Sequence, residues 1–211
     1  MSRAAEALHA SRVVAILRGL GPHEAVAVAR ALYKGGIRCI EVTYPSPGAL
    51  ESVAAIAREL PDVVPGMGTV LTPEEVERSV AAGAEFIVSP HTDPDVIRKT
   101  KELGRLAIPG AMTPTEAVTA VRAGADLVKI FPASAVTPAF FREMRGPFPE
   151  IRLLGTGGIT VENADEFIRA GAYAVGLGGA LVAKDLVARG DWDAIAERAR
   201  TLVEKVQAAL R

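Results

Sequence analysis

The 211-residue sequence predicts an α/β protein, a single (β/α)8 TIM barrel spanning residues 1–211 with an additional N-terminal helix. Three observations carry this. Short β-branched runs alternate with longer amphipathic stretches, the runs are apolar on both faces, and eight strand–helix units can be counted. Strands buried on both faces, each followed by a helix, make a parallel sheet. Eight units favour closure; an open doubly wound sheet is the rival arrangement of the same units.

The strand runs are "VVAILRG" (13–19), "CIEVTY" (39–44), "VVPGMGTV" (63–70), "FIVSPH" (86–91), "LAIPGAM" (106–112), "LVKIFPAS" (127–134), "RLLGTGG" (152–158) and "AVGLGGAL" (174–181). Between them, stretches such as "HEAVAVARALYKGG", "TPEEVERSVAAGA" and "TVENADEFIRAGA" read as helices, several opening on Ser, Thr or Pro with glutamate close behind and ending at Gly. A short helix leads the chain and a long one, residues 192–210, closes it. An internal repeat supports the barrel. "GGIRCIEV", "AGAEFIVS", "AGADLVKI" and "AGAYAVGL" share a helix-ending glycine followed at once by a strand, with Gly36, Gly83, Gly124 and Gly171 spaced by 47, 41 and 47 residues. Aligned on those glycines, Glu41, Val88, Lys129 and Gly176 fall in one register, and the same register on alternate strands of a barrel forms one interior layer. Glu41 and Lys129 are therefore expected to face each other across the interior.

Composition narrows the function classes. Net charge is −1 and the basic residues are scattered along helices, so no nucleic-acid footprint is expected. Cys39 is the only cysteine, which rules out an internal disulfide and makes a reducing, cytoplasmic setting the default. The apolar run Val13–Leu17 is too short for a secretory signal, and no window reaches the ~18 apolar residues of a membrane span.

Lysine is scarce, six against eighteen arginines, and five of the six fall in helix-like stretches. Lys129 alone stands inside an apolar run. A desolvated ammonium is costly unless it is paired or gives up its proton. Lys129 thus has three readings: a structural ion pair with Glu41, an anion contact, or a nucleophile that condenses with a carbonyl to a Schiff base while Glu41 moves protons. Strand ends also collect Arg18, Thr69, the Ser89–Pro90–His91 run, and two glycine-rich turns, "GTGGI" and "GLGG". The latter follow strands seven and eight, where barrels commonly hold phosphate. Arg18 could bind a carboxylate bidentately, and Thr69 could orient one through its hydroxyl. His91 has no second ligand at metal spacing and reads as a polar loop residue.

Taken in order from "VVAILRG" through "GGIRCIEVTYPSP", "PGMGTVLTPEE", "AGAEFIVSPH", "IPGAMTPTE", "LVKIFPAS" and "GTGGI" to "GLGGALV", the chain resembles the KDPG/KHG aldolase family. These are class I enzymes that cleave 2-keto-3-deoxy-6-phosphogluconate to pyruvate and glyceraldehyde 3-phosphate. The resemblance implies a homotrimer that uses neither metal nor organic cofactor. It makes Lys129 the Schiff-base lysine and Glu41 the general acid/base, gives the pyruvyl carboxylate to Thr69, and has Pro90 and Phe131 shape the pocket. Gly157, Gly158, Gly178 and Gly179 would receive the phosphate through their amides. Thr156 resembles the gluconate-cleaving members, where galactonate aldolases tend to carry valine. Two positions depart from the pattern: Pro45 stands where some members have a carboxylate-binding arginine, for which Arg18 could substitute, and Gly179 where some have serine. Cleavage of 4-hydroxy-2-oxoglutarate, or a phosphosugar isomerase or epimerase with Glu41 as base, are the alternative activities; a non-catalytic phosphate-binding barrel and a metal-dependent aldolase are more distant ones.

Overall fold

The computed structural model describes residues 2–211. Its strands are β1 (Val13–Leu17), β2 (Cys39–Thr43), β3 (Val64–Gly68), β4 (Phe86–Val88), β5 (Leu106–Ile108), β6 (Gly110–Ala111), β7 (Val128–Ile130), β8 (Leu153–Thr156) and β9 (Ala174–Leu177). They pair in parallel in the order β5-β4-β3-β2-β1-β9-β8-β7-β6. β5 and β6 are halves of one predicted strand, interrupted at Pro109, which has no N–H to give the ladder. β5 pairs with β4 and β6 with β7, so this single run joins both ends of the sheet into a nearly closed barrel. Across the seam, Lys129 N–H donates to the Pro109 carbonyl at 2.8 Å. The doubly wound alternative is excluded.

The helices are α1 (Arg3–Ser11), α2 (Pro22–Lys34), α3 (Ala49–Glu59), α4 (Pro73–Ala81), α5 (Pro94–Glu102), α6 (Pro114–Arg122), α7 (Pro138–Met144), α8 (Ala164–Arg169), α9 (Lys184–Arg189) and α10 (Trp192–Ala209). Their starts follow the sequence signals. Proline opens α2, α4, α5, α6 and α7, where its missing N–H costs nothing. Thr113 and Glu116 form a reciprocal capping box at α6.

Strand alternation divides the buried side chains into two shells. Val13, Ala15, Leu17, Ile40, Val42, Val128 and Ile130 face outward under the helices. Val14, Ile16, Cys39, Phe86, Val88, Leu127, Leu154 and Ala174 face inward, joined by Ala4, Ala7 and Leu8 of α1. The extra N-terminal helix therefore plugs the N-terminal mouth, and the C-terminal mouth is left for function. Cys39 lies in this plugged end, where burial pushes its thiol up to about 12 and keeps it unreactive.

The outer shell closes where α10 crosses α2. A Cβ built on Gly35 would overlap Ala199 Cβ and the Ala196 carbonyl. Gly35→Ala is expected to destabilise the fold by ~1–3 kcal/mol, the usual range for overpacking a tight contact, read as a lower urea midpoint at unchanged m-value.

Candidate active site

The two ionisable groups singled out in the sequence both point into the barrel. On β7, Val128 and Ile130 are outward and Leu127 inward, so Lys129 projects inward and is 6% exposed. On β2, Ile40 and Val42 are outward and Cys39 inward, which turns Glu41 inward at 3% exposure. With Val88 and Gly176 they occupy the layer above Cys39, Phe86, Leu127 and Ala174, two residues earlier on the same four strands. Lys129 and Glu41 couple through space: burial raises the Glu41 pKa above its usual 4.5, and the positive charges of Lys129 and then Arg18 work against that rise. Lys129 Nζ also lies 4.8 Å from the centre of the Phe131 ring.

One residue that the sequence reading passed over makes room for this acid. A Cβ built on Gly68 would overlap the Glu41 carboxylate. Gly66, one inward position earlier on β3, is likewise filled by the Phe86 ring. The signal was present as "PGMG", two glycines at the period of a strand, and it marks the face across which neighbours approach closely.

Thr69 follows in the left-handed region, at φ 61°, a strained setting for a β-branched residue. Val70 N–H still reaches the Val88 carbonyl at 3.2 Å, so the chain kinks at one residue and resumes. Pro90 stands at the end of β4, and its carbonyl fills the space beside Gly110. Phe131, 38% exposed, is a large apolar side chain left open at the mouth just beyond Lys129. Thr156 ends β8 at 5% exposure, and its Oγ1 is buried with no hydrogen-bond partner. That oxygen lies 2.6 Å from where a Cβ would stand on Gly176, so any side chain there would displace it.

The glycine-rich turns come next. Gly157 and Gly158 have φ of 88° and 78°, which L side chains rarely adopt. Gly178 and Gly179 follow directly on β9; nothing lies within 4 Å of the Gly179 Cβ position. Arg18 is solvent-exposed just beyond β1 and lines a cavity with Gly179. His91 sits exposed in its loop, 3.9 Å from Asp93. Among the described residues no three His, Cys, Asp or Glu side chains gather as a metal-binding group.

A dry barrel interior that holds one lysine and one carboxylate near its functional mouth is the arrangement of an aldolase-type lyase. Sequence comparison gives the same answer. The family "KDPG and KHG aldolase" matches residues 4–198, and the chain belongs to it. It is 38% identical over 192 residues to the 2-dehydro-3-deoxy-phosphogluconate aldolase of Treponema pallidum, covering 90% of this chain and 91% of that one. It is 39% identical over 168 residues to the 2-dehydro-3-deoxy-6-phosphogalactonate aldolase of Escherichia coli K12, covering 79% and 82%. Among solved structures, the KDPG aldolase of Legionella pneumophila, with pyruvate captured as a covalent carbinolamine, superposes with a TM-score of 0.87 at 29% identity, covering 96% of this chain and 98% of that one.

Two outcomes follow from the geometry around Glu41. Gly68→Ala pushes the carboxylate from its position, so aldol cleavage is expected to fall by about a hundredfold in a protein that still folds, measured by steady-state kinetics alongside circular dichroism. The second concerns stability. Because the folded pKa of Glu41 is raised, above pH 4.5 the native state retains a proton that the unfolded chain releases, and stability falls as pH rises through the folded value. Glu41→Gln lacks that titration. Its stability relative to the parent is expected to increase from pH 4.5 upward and then level off, as followed by urea midpoints.

Proposed function

We propose that this aldolase cleaves 2-keto-3-deoxy-6-phosphogluconate to pyruvate and glyceraldehyde 3-phosphate through a Schiff base on Lys129. The observation that carries the reading is one amine and one acid buried together in an otherwise apolar barrel layer. Nothing in a structural ion pair calls for a chamber cleared by a glycine beside the carboxylate.

The steps follow from the groups at hand. Lys129 Nζ, free of its proton, adds to the C2 carbonyl. Glu41, whose raised pKa lets it hold a proton in this setting, donates that proton to the departing hydroxyl, and water leaves as the iminium forms. The Glu41 carboxylate then accepts the C4 hydroxyl proton. The C3–C4 bond breaks, its electron pair flows into the iminium, and the aldehyde departs. Protonation of the resulting enamine at C3 and hydrolysis release pyruvate and the free amine. Thr69 holds the pyruvyl carboxylate, Pro90 and Phe131 enclose its carbon skeleton, and the amides of Gly157, Gly158, Gly178 and Gly179 receive the phosphate. The chemistry needs no metal or organic cofactor, and the enzyme is read as a cytoplasmic homotrimer.

Thr156 supports the gluconate over the galactonate substrate. Its hydroxyl is buried without a partner, so a substrate hydroxyl of matching orientation supplies the bond it lacks. Overall identity does not discriminate, being 38% to a phosphogluconate aldolase and 39% to a phosphogalactonate aldolase.

Borohydride in the presence of pyruvate is expected to leave a stable adduct on Lys129, located by peptide mass spectrometry; an unmodified lysine would instead favour a non-covalent isomerase. Thr156→Val is expected to lower the kcat/KM ratio of the gluconate over the galactonate substrate by about ten- to hundredfold, the cost of one lost buried hydrogen bond.

A further inference from the structure

A cavity of about 500 Å³ opens at the C-terminal mouth between the loops that follow β1 and β9, lined by Ile16, Arg18, Glu24, Gly179, Val182 and Lys184 among others. Its inner end reaches the barrel interior. Ile16 belongs to the inward-facing shell, and its Cδ1 lies 3.5 Å from the Cβ position of Gly176, the same bare face that Thr156 Oγ1 approaches. The cavity thus meets the inward shell at Ile16, which pairs in register with Glu41 on the neighbouring strand.

The charges on its wall are unbalanced. Arg18 and Lys184 enter no ion pair among the described residues. Glu24, the one acid on the wall, accepts the Gly21 N–H at 3.3 Å in the capping box of α2, so its carboxylate is engaged by backbone. Asp185, next to Lys184, pairs with Arg189 at 3.3 Å instead. Gly179 contributes bare backbone with open space above it. Two free cations beside an uncovered glycine suit an anion that carries two charges and several acceptor oxygens.

Building on the proposed reaction, we infer that Lys184, together with Arg18 on the wall of the same cavity, binds the phosphate monoester end of the substrate and supplies the side-chain donor that residue 179, a glycine, cannot. Arg18 is thereby assigned to the phosphate end and not to the carboxylate end that the family resemblance suggested. An ammonium on a flexible stem at the cavity rim reaches a phosphate without fixed geometry, whereas the glycine amides fix its orientation.

Calorimetric titration with glycerol 3-phosphate, and separately with inorganic phosphate, tests this. Lys184→Gln is expected to weaken glycerol 3-phosphate binding by about five- to tenfold and to flatten its dependence on salt, with Lys184→Arg restoring most of the affinity. Lys34→Gln, a charge removal at the far end of α2, is expected to leave binding unchanged. In kinetics, the kcat/KM ratio for the phosphorylated substrate over 4-hydroxy-2-oxoglutarate should fall by a similar factor. Equal affinities in the parent and Lys184→Gln would overturn the inference, as would a loss of inorganic phosphate binding alone with the ester unaffected. Borohydride trapping of pyruvate reports on Lys129 and not on this wall, so a failure of the aldolase reading remains separable from a failure here.

Discussion

The structure is organised around one electrostatic constraint: a lysine and a carboxylate share a buried layer of the barrel. Removing two opposite charges from water costs more than their attraction readily returns. Burial here raises the pKa of Glu41 even against the pull of two nearby cations. Burial favours the protonated, neutral form of that carboxylate over the charged one. In the proposed reaction the acid needs that form to expel a hydroxyl. Burial that is poor value for stability is thus suited to the chemistry.

The barrel supplies this interior by repetition. The four strands that end the glycine repeats place Cys39, Phe86, Leu127 and Ala174 in one layer and Glu41, Val88, Lys129 and Gly176 in the next, with α1 sealing the end below. Polar groups occur only in the layer nearer the open mouth. Space for them comes from residues with no side chain: Gly68 beside Glu41 and Gly176 beside Thr156. The seam at Pro109 is part of the same economy, because a proline-broken strand can pair with β4 along one half and β7 along the other, and the Pro109 carbonyl still accepts from Lys129 N–H.

Much of this was legible in the sequence because it rests on period and composition. Strands apolar on both faces give a parallel barrel whatever their detail, and the glycine spacing fixed which residues share a layer before any coordinate did. Lys129 was conspicuous because an ammonium in an apolar run contradicts its surroundings. The split of the fifth strand was less legible, since "LAIPGAM" reads as one run until its hydrogen-bond partners on two sides are known. Gly68 and Lys184 escaped notice for a different reason. A glycine in a strand is ambiguous until the neighbour that fills its space is seen, and an exposed lysine opening a six-residue helix is unremarkable until the cavity that it lines is seen.

The division of labour within the mouth bears on how such a barrel distinguishes its substrates. All three keto acids considered for this family share the same pyruvyl half, so under the proposed function Lys129, Glu41 and Thr69 would meet identical atoms whichever is bound. Discrimination must therefore arise along the remainder of the molecule, beyond the bond that breaks. In this chain that path runs from the unpartnered hydroxyl of Thr156, past the bare face of Gly176, toward Gly179 and the two unpaired cations. A buried hydroxyl without a partner penalises a ligand that cannot bond it more than it rewards one that can, whereas an exposed ammonium adds affinity for any phosphate. On the proposed reading, stereochemistry is read by the group that is dry, and charge by the groups that are wet. Changes at β8 and beyond β9 can shift substrate preference while the lysine chemistry stays the same.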